Sequence, residues 1–105
     1  MLNLELDIQP QTEQRLKKIL AYTQDEEMFA QNIIAYQIAE LQKGLLNIRL
    51  DLKQFENKYQ QSSEEFYQQF EKGKTDDSED VMLWAGLYEM LQDNERRLQE
   101  LTGKY

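Results

Sequence analysis

The chain has 105 residues, with 12 Lys and Arg against 20 Asp and Glu, and its formal charge is −8. It contains no Cys and no His, which excludes disulfides, thiolate nucleophiles, imidazole bases and the metal sites built from those ligands. Apolar residues make up 40% of the chain, with one Pro and four Gly. We therefore expect a folded, mainly α-helical protein that needs no cofactor and is not an enzyme.

The N-terminal residues 2–8 alternate apolar and polar side chains up to Pro10. A period of two predicts a half-buried strand. Because a strand needs a hydrogen-bonding partner and the sequence has no second run of this kind, the partner would be another copy of the chain or another protein. The alternative is an irregular tail over the helices. The dimer strand would bury four residues: Leu2, Leu4, Leu6 and Ile8.

Two helices are predicted next. Residues 12–22 gather their apolar side chains on one face, and residues 23–26 (Thr-Gln-Asp-Glu) match a capping box that would open a long helix over residues 26–58. In that helix, apolar residues spaced alternately by four and three form a coiled-coil-like seam, which we expect to face another helix. The seam consists of Ile34, Ile38, Leu41, Leu45, Ile48, Leu52, Phe55 and Tyr59. A kink at Gly44 or Asn47 is the alternative to one continuous helix.

The C-terminal part predicts two more helices. Residues 62–65 (Ser-Ser-Glu-Glu) are a second capping signal for a short helix that ends at Gly73. After a loop, a last helix over residues 78–101 carries another seam, whose one polar member is Asn94. An Asn in a seam either fixes the register between helices or lies exposed at the helix end.

No group of residues in the sequence predicts catalysis or metal binding. The two serines at 62 and 63 have no base nearby and are expected to cap a helix. The densest acidic cluster lacks the Gly and Glu spacing of a calcium loop, so we expect it to stabilise a helix start. That cluster consists of Asp76, Asp77, Glu79 and Asp80.

The negative charge is concentrated in the C-terminal part, since residues 1–60 have a net charge of −2 and residues 61–105 a net charge of −6. Such a field repels nucleic acid and membranes and favours a basic partner, although it also serves plain solubility. We place the partner-binding site on a set of C-terminal side chains, whose alternative role is to close a core. They are Phe66, Tyr67, Phe70, Trp84, Leu87 and Tyr88. No run is apolar enough for a bilayer span and no signal peptide is evident, which predicts a cytoplasmic protein.

The order of strand, short helix, tight turn and longer helix over about residues 1–45 resembles the ribbon-helix-helix module. In that family two chains pair their N-terminal strands into an antiparallel ribbon. The remainder, from Phe55 through residues 62–66 to Trp84, resembles small prokaryotic antitoxin-like proteins of toxin-antitoxin pairs. The resemblance implies a homodimer or higher oligomer that neutralises a basic partner protein, such as a toxin.

The sequence departs from a DNA-binding ribbon-helix-helix protein in its charges. Outward residues of the ribbon would be Asn3, Glu5 and Asp7, and residues 25–27 would present three carboxylates to a phosphate. Only Arg15, Lys17, Lys18 and Arg49 offset this charge. We therefore predict a dimerisation module over residues 1–60 and an acidic partner-binding region over residues 61–105, with DNA binding weak if any. The alternative is a dimeric ribbon-helix-helix repressor.

Overall fold

The computed structural model describes residues 1–103 and contains four helices. These are α1 (Pro10–Thr23), α2 (Glu26–Tyr59), α3 (Ser63–Glu71) and α4 (Glu79–Thr102). The prediction of a mainly α protein is confirmed. The chain forms two compact units, the first being Met1–Tyr36 and the second beginning at Gln37. The functional division at residue 60 stays a prediction.

The predicted N-terminal strand is wrong. Residues 1–9 form neither strand nor helix, and no strand occurs anywhere in residues 1–103. An alternating pattern alone does not make a strand, because backbone N–H and C=O groups without a partner strand bind water instead. The ribbon-helix-helix fold that the resemblance implied is therefore overturned. Pro10 opens α1 as its first helical residue, where the missing N–H would have had no partner anyway.

The turn between α1 and α2 also differs from the prediction. Thr23 does not cap α2, since it is the last residue of α1. Gln24 follows in the left-handed region with φ 55°. Asp25 then caps α2, because its Oδ1 accepts a hydrogen bond from the Met28 N–H at 3.2 Å. The capping-box match therefore located the turn but assigned the cap two residues too early.

The long helix α2 is continuous over 34 residues and passes through Gly44 and Asn47 without a break. Its predicted seam is covered unevenly. The middle of the seam is buried, whereas Ile34 and Tyr59 near its ends are 39% and 45% exposed. The buried members are Leu41, Leu45, Ile48 and Leu52.

The predicted cap at Ser62 is confirmed, whereas Ser63, also expected to cap, is instead the first residue of α3. Ser78 supplies a further cap, at the start of α4, that was not predicted. The Ser62 Oγ accepts a hydrogen bond from the Glu65 N–H at 3.1 Å, and the Ser78 Oγ accepts one from the Val81 N–H at 3.3 Å. Gly73, with φ 70°, ends the turn after α3. Each cap satisfies a backbone donor that the first helical turn leaves free.

The core of the second unit lies where α2, α3 and α4 meet. Helix α4 runs antiparallel to α2, as two ion pairs show: Lys58 Nζ lies 2.7 Å from Asp80 Oδ2, and Arg49 Nη2 lies 3.2 Å from Glu95 Oε1. Both pairs are partly exposed, so they fix alignment more than they add stability. Apolar burial supplies most of the stability here. The buried cluster consists of Ile48, Leu52, Phe66, Trp84 and Ala85.

We predict that Gly44→Ala stabilises the protein. A Cβ built at Gly44 would lie 3.7 Å from Asn94 Nδ2, which is an ordinary contact, and Ala is about 1 kcal/mol more favourable than Gly inside a helix. The free energy of unfolding in urea should rise by about 0.5–1 kcal/mol. The control Gly103→Ala should lower it, because Gly103 has φ 72°. A loss of stability in Gly44→Ala would show that α2 and α4 approach too closely for a methyl group.

Candidate interaction surfaces

Trp84, predicted as a partner-binding residue, lies in the core. The indole is 2% exposed and stacks on Phe66, with ring centroids 3.9 Å apart and planes 3° from parallel. Phe55 and Tyr59 of α2 stack on the same indole at 5.6 Å each. The indole Nε1 donates to the Ser63 Oγ at 2.8 Å, so its polar edge is satisfied inside the core. Phe66 is also buried, at 3% exposed.

The other predicted partner-binding residues are half-buried and pack against this core. They are Tyr67, Phe70, Leu87 and Tyr88. The rings of Tyr67 and Tyr88 lie 4.9 Å apart, and the Tyr67 hydroxyl donates to Glu89 Oε2 at 3.1 Å. Burial, followed by this hydrogen bond, raises the pKa of Tyr67, and burial also raises the pKa of Tyr88. These side chains have exposed edges but mainly tie α3 to α4.

We predict that the Ser63–Trp84 hydrogen bond contributes measurably to stability. Ser63→Ala should lower the free energy of unfolding by about 1–3 kcal/mol, because it leaves a buried indole N–H without an acceptor. The Trp84→Phe variant has no such N–H. In that variant, adding Ser63→Ala should therefore lower the free energy of unfolding by clearly less than it does in the native protein. A double-mutant cycle measured by urea unfolding tests this. Additive effects of the two substitutions would contradict a role for the bond.

Three polar side chains join the end of α2 to the start of α4. Asp80 accepts hydrogen bonds from the Lys58 ammonium and the Tyr59 hydroxyl. The bond from Lys58, followed by that from Tyr59, holds the pKa of Asp80 below its usual value. The same hydrogen bonds to Asp80 raise the pKa of Lys58 and the pKa of Tyr59. The three groups therefore stabilise the folded state while Asp80 is ionised and the other two are protonated.

We predict a pH dependence from this group. The lowered pKa of Asp80 gives stability that is present above the ordinary carboxyl pKa of 3.8 and is lost as pH falls through the folded-state value. Asp80→Asn should therefore be less stable than the native protein at pH 7, and the difference should shrink towards about pH 3. Chemical unfolding of both proteins at a series of pH values measures the stability difference at pH 7 and its change towards pH 3. The control Asp77→Asn, at an exposed carboxylate, should not change this pH dependence. A constant difference between Asp80→Asn and the native protein would contradict the prediction.

The acidic cluster before α4 acts locally at the helix start. The Asp76 Oδ1 accepts a hydrogen bond from the Ser78 N–H at 2.9 Å, and this bond lowers the pKa of Asp76. Asp80 binds the side chains of α2 described above, while Glu79 lies in the first turn of α4. Within residues 1–103, no three acidic side chains are grouped so that they could hold a metal ion.

The outer face of α4 is an exposed apolar strip that the sequence reasoning missed. We call Met82, Leu83, Gly86 and Met90 the α4 strip. Met82, Leu83 and Met90 are 57%, 53% and 53% exposed, and a Cβ at Gly86 would meet nothing within 4 Å. These residues lie off the 3.5-residue seam of α4. Apolar residues outside the seam were the signal in the sequence that could have revealed this second apolar face. Their spacing puts them on one helix face.

Acidic side chains border the α4 strip. Glu79 lies one turn before Leu83, Glu89 lies three residues after Gly86, and Asp93 lies three residues after Met90, with both glutamates exposed. Asp93 is partly neutralised by two arginines, because its Oδ1 accepts a hydrogen bond from Arg96 and its Oδ2 lies 3.0 Å from Arg97 Nη2. The strip therefore combines flexible apolar side chains with a mainly negative border.

The first unit contains a second exposed apolar surface. Across residues 1–36, all of which the structure describes, no residue is buried. Between α1 and α2 lies an open, mainly apolar groove of about 240 Å³. Its lining consists of Leu16, Ile19, Phe29, Asn32, Ile33 and Tyr36. The predicted dimer-strand residues Leu2, Leu4, Leu6 and Ile8 are 81%, 67%, 63% and 39% exposed.

Comparison with known proteins gives no matching family model, no matching curated protein and no matching solved structure. Within residues 1–103, no helix combines the length and the apolar character that a membrane crossing requires.

Proposed function

We propose that this protein is a non-catalytic protein-binding module that binds a basic partner, in the manner of an antitoxin, through the α4 strip. The observation that carries the proposal is the row of Met82, Leu83 and Met90, more than half exposed on one helix face beside carboxylates. Methionine adapts its shape to irregular surfaces and is common at protein-binding faces. Apolar anchors inside a charged border are typical of protein interfaces.

The site stays within the C-terminal region predicted for partner binding, but its anchors differ. Phe66 and Trp84 support α4 from behind, because their stack fills the core. The outer side chains of α4 supply the apolar contact. The charge of the helix supports a basic partner, since α4 carries six acidic and two basic side chains. Complementary charge mainly speeds association and selects partners, while the apolar anchors limit dissociation.

The alternative of a ribbon-helix-helix repressor is not carried forward. It required an N-terminal ribbon to enter DNA, and residues 1–103 contain no strand. The acidic side chains at the start of α2, Glu26 and Glu27, also oppose phosphate contacts.

We predict that substitutions on the α4 strip weaken partner binding without unfolding the protein. Tagged full-length chain is used to capture proteins from an extract of its source cells, and the captured protein is then purified. The double variant Met82→Lys, Met90→Lys should bind the captured protein roughly tenfold more weakly, or weaker still. Both substitutions remove an apolar anchor, and both place a positive charge where it repels a basic partner. The matched control is Leu46→Lys with Leu50→Lys on α2, where both leucines are 58% exposed.

The same experiment tests the charge and the antitoxin role. Raising salt from about 50 to 500 mM should weaken the complex, because exposed charges are screened. The captured protein, expressed alone, should arrest growth of a bacterial host, and co-expression of the native chain but not the Met82/Met90 variant should restore it. An acidic partner, or undiminished binding by that variant, would contradict the proposal. A partner that causes no growth arrest would remove the antitoxin role.

A further inference from the structure

The first unit, residues 1–36, has an apolar surface too large to be left uncovered. It contains many of the large apolar side chains that are at least 39% exposed, among them Tyr22, Ile33 and Tyr36 at 80%, 55% and 66%. At roughly 100 Å² for each such side chain, the unit exposes about 1,000 Å², against the ~800 Å² that each partner buries in a standard interface. The unit therefore has enough apolar area for a stable interface.

We propose that this surface is covered by a second copy of the chain, each copy inserting its N-terminal segment, residues 2–8, into the groove between α1 and α2 of the other copy. This is an exchange of apolar segments into helical grooves, without pairing of strands. It concerns a different surface from the α4 strip and does not depend on the proposed function.

The groove accommodates the middle of the segment. On α2 its lining runs from Phe29 to Tyr36, which at 1.5 Å per residue spans about 10 Å. Extended residues span ~3.3 Å each, so about three of them, Leu4 to Leu6, lie over the groove. Because extended residues alternate in direction, Leu4 and Leu6 can enter the groove while Glu5 and Asp7 stay at its rim.

The segment and α1 also match in charge. Residues 1–9 carry Glu5 and Asp7 and no basic side chain, whereas α1 carries three basic residues and one acidic residue. The other three helices each carry more acidic than basic side chains. Arg15 lies one turn before Ile19, a groove residue, and so belongs to the neighbouring part of the α1 surface. Lys18, three residues on, lies beside it.

The segment does not fill the groove of its own chain. Leu2, Leu4 and Leu6 are all more than 60% exposed. Gln9 joins the segment to α1 with φ −67° and ψ 149°, the extended conformation usual for the residue before a helix. Each copy therefore holds one unused groove and one unused insert. A reciprocal exchange between two copies satisfies both and closes the assembly as a two-fold dimer.

The decisive experiment mixes two variants of the full-length chain. The segment variant carries Leu4→Asp and Leu6→Asp with an intact groove, and the groove variant carries Ile33→Asp with an intact segment. All three sites are exposed in the single chain, so both variants should fold as the native chain does, as checked by circular dichroism. Leu46→Asp is the control for Ile33→Asp, because both side chains lie on α2 and are 58% and 55% exposed, respectively.

Sedimentation equilibrium should find a dimer for the native chain and for the Leu46→Asp control. Each variant alone should dimerise at least roughly tenfold more weakly, since no functional segment meets a functional groove. An equimolar mixture of the two variants should recover a heterodimer, because one intact segment then meets one intact groove. No such recovery is expected if the helices merely pack face to face.

Charge reversal provides a second measurement. Glu5→Lys with Asp7→Lys should weaken the dimer, and mixing this variant with an Arg15→Glu, Lys18→Glu variant should restore it. A native chain that stays monomeric at about 100 µM would overturn the proposal, as would segment and groove variants that dimerise like the native chain. A mixture of segment and groove variants that stays monomeric would overturn the exchange.

Discussion

The burial of one indole organises the second unit. Trp84 lies between the ring of Phe66 from α3 and the rings of Phe55 and Tyr59 from α2, so a single side chain of α4 contacts both neighbouring helices. A large flat ring buries much apolar area in a small core, but its N–H must find an acceptor. Ser63 supplies that acceptor from the first turn of α3. The short helix is thereby fixed between two long ones, although it has only nine residues.

The same interaction explains why α4 presents an outer apolar strip. A helix that buries Trp84 and Ala85 has its opposite face directed to solvent, where Met82 and Met90 lie. Ion pairs at Lys58 and Arg49 fix the alignment of α4 along α2. The outer residues therefore lie on a rigid helix, which lowers the conformational entropy lost on binding. The core and the proposed binding face are two sides of one helix.

Much of the second unit was predictable from local sequence. The Ser62 and Ser78 caps and the extent of α4 follow from short-range chemistry that the sequence contains in full. The burial of Trp84 was not predictable from local sequence, because an aromatic residue at helical spacing suits both a core and an interface. Only the meeting of three helices decides between them. The α4 strip was not predicted because its residues lie off the 3.5-residue seam, and a seam does not assign the apolar residues on other faces of the helix.

The first unit shows the limit of sequence patterns more sharply. The alternation over residues 2–8 correctly marks a segment with one apolar side, but it predicts a strand only if another strand supplies hydrogen bonds. The seam of α2 has the same limitation, because Leu45 and Ile34 belong to the same series of apolar residues but are 2% and 39% exposed. The spacing indicates that a helix has an apolar side, but it does not indicate what covers each turn. In both cases the pattern is a property of the chain, while the burial depends on a partner surface. In the exchange proposed above, that partner surface is a second copy, because the acidic segment and the groove next to the basic residues of α1 are both present in every copy of the chain.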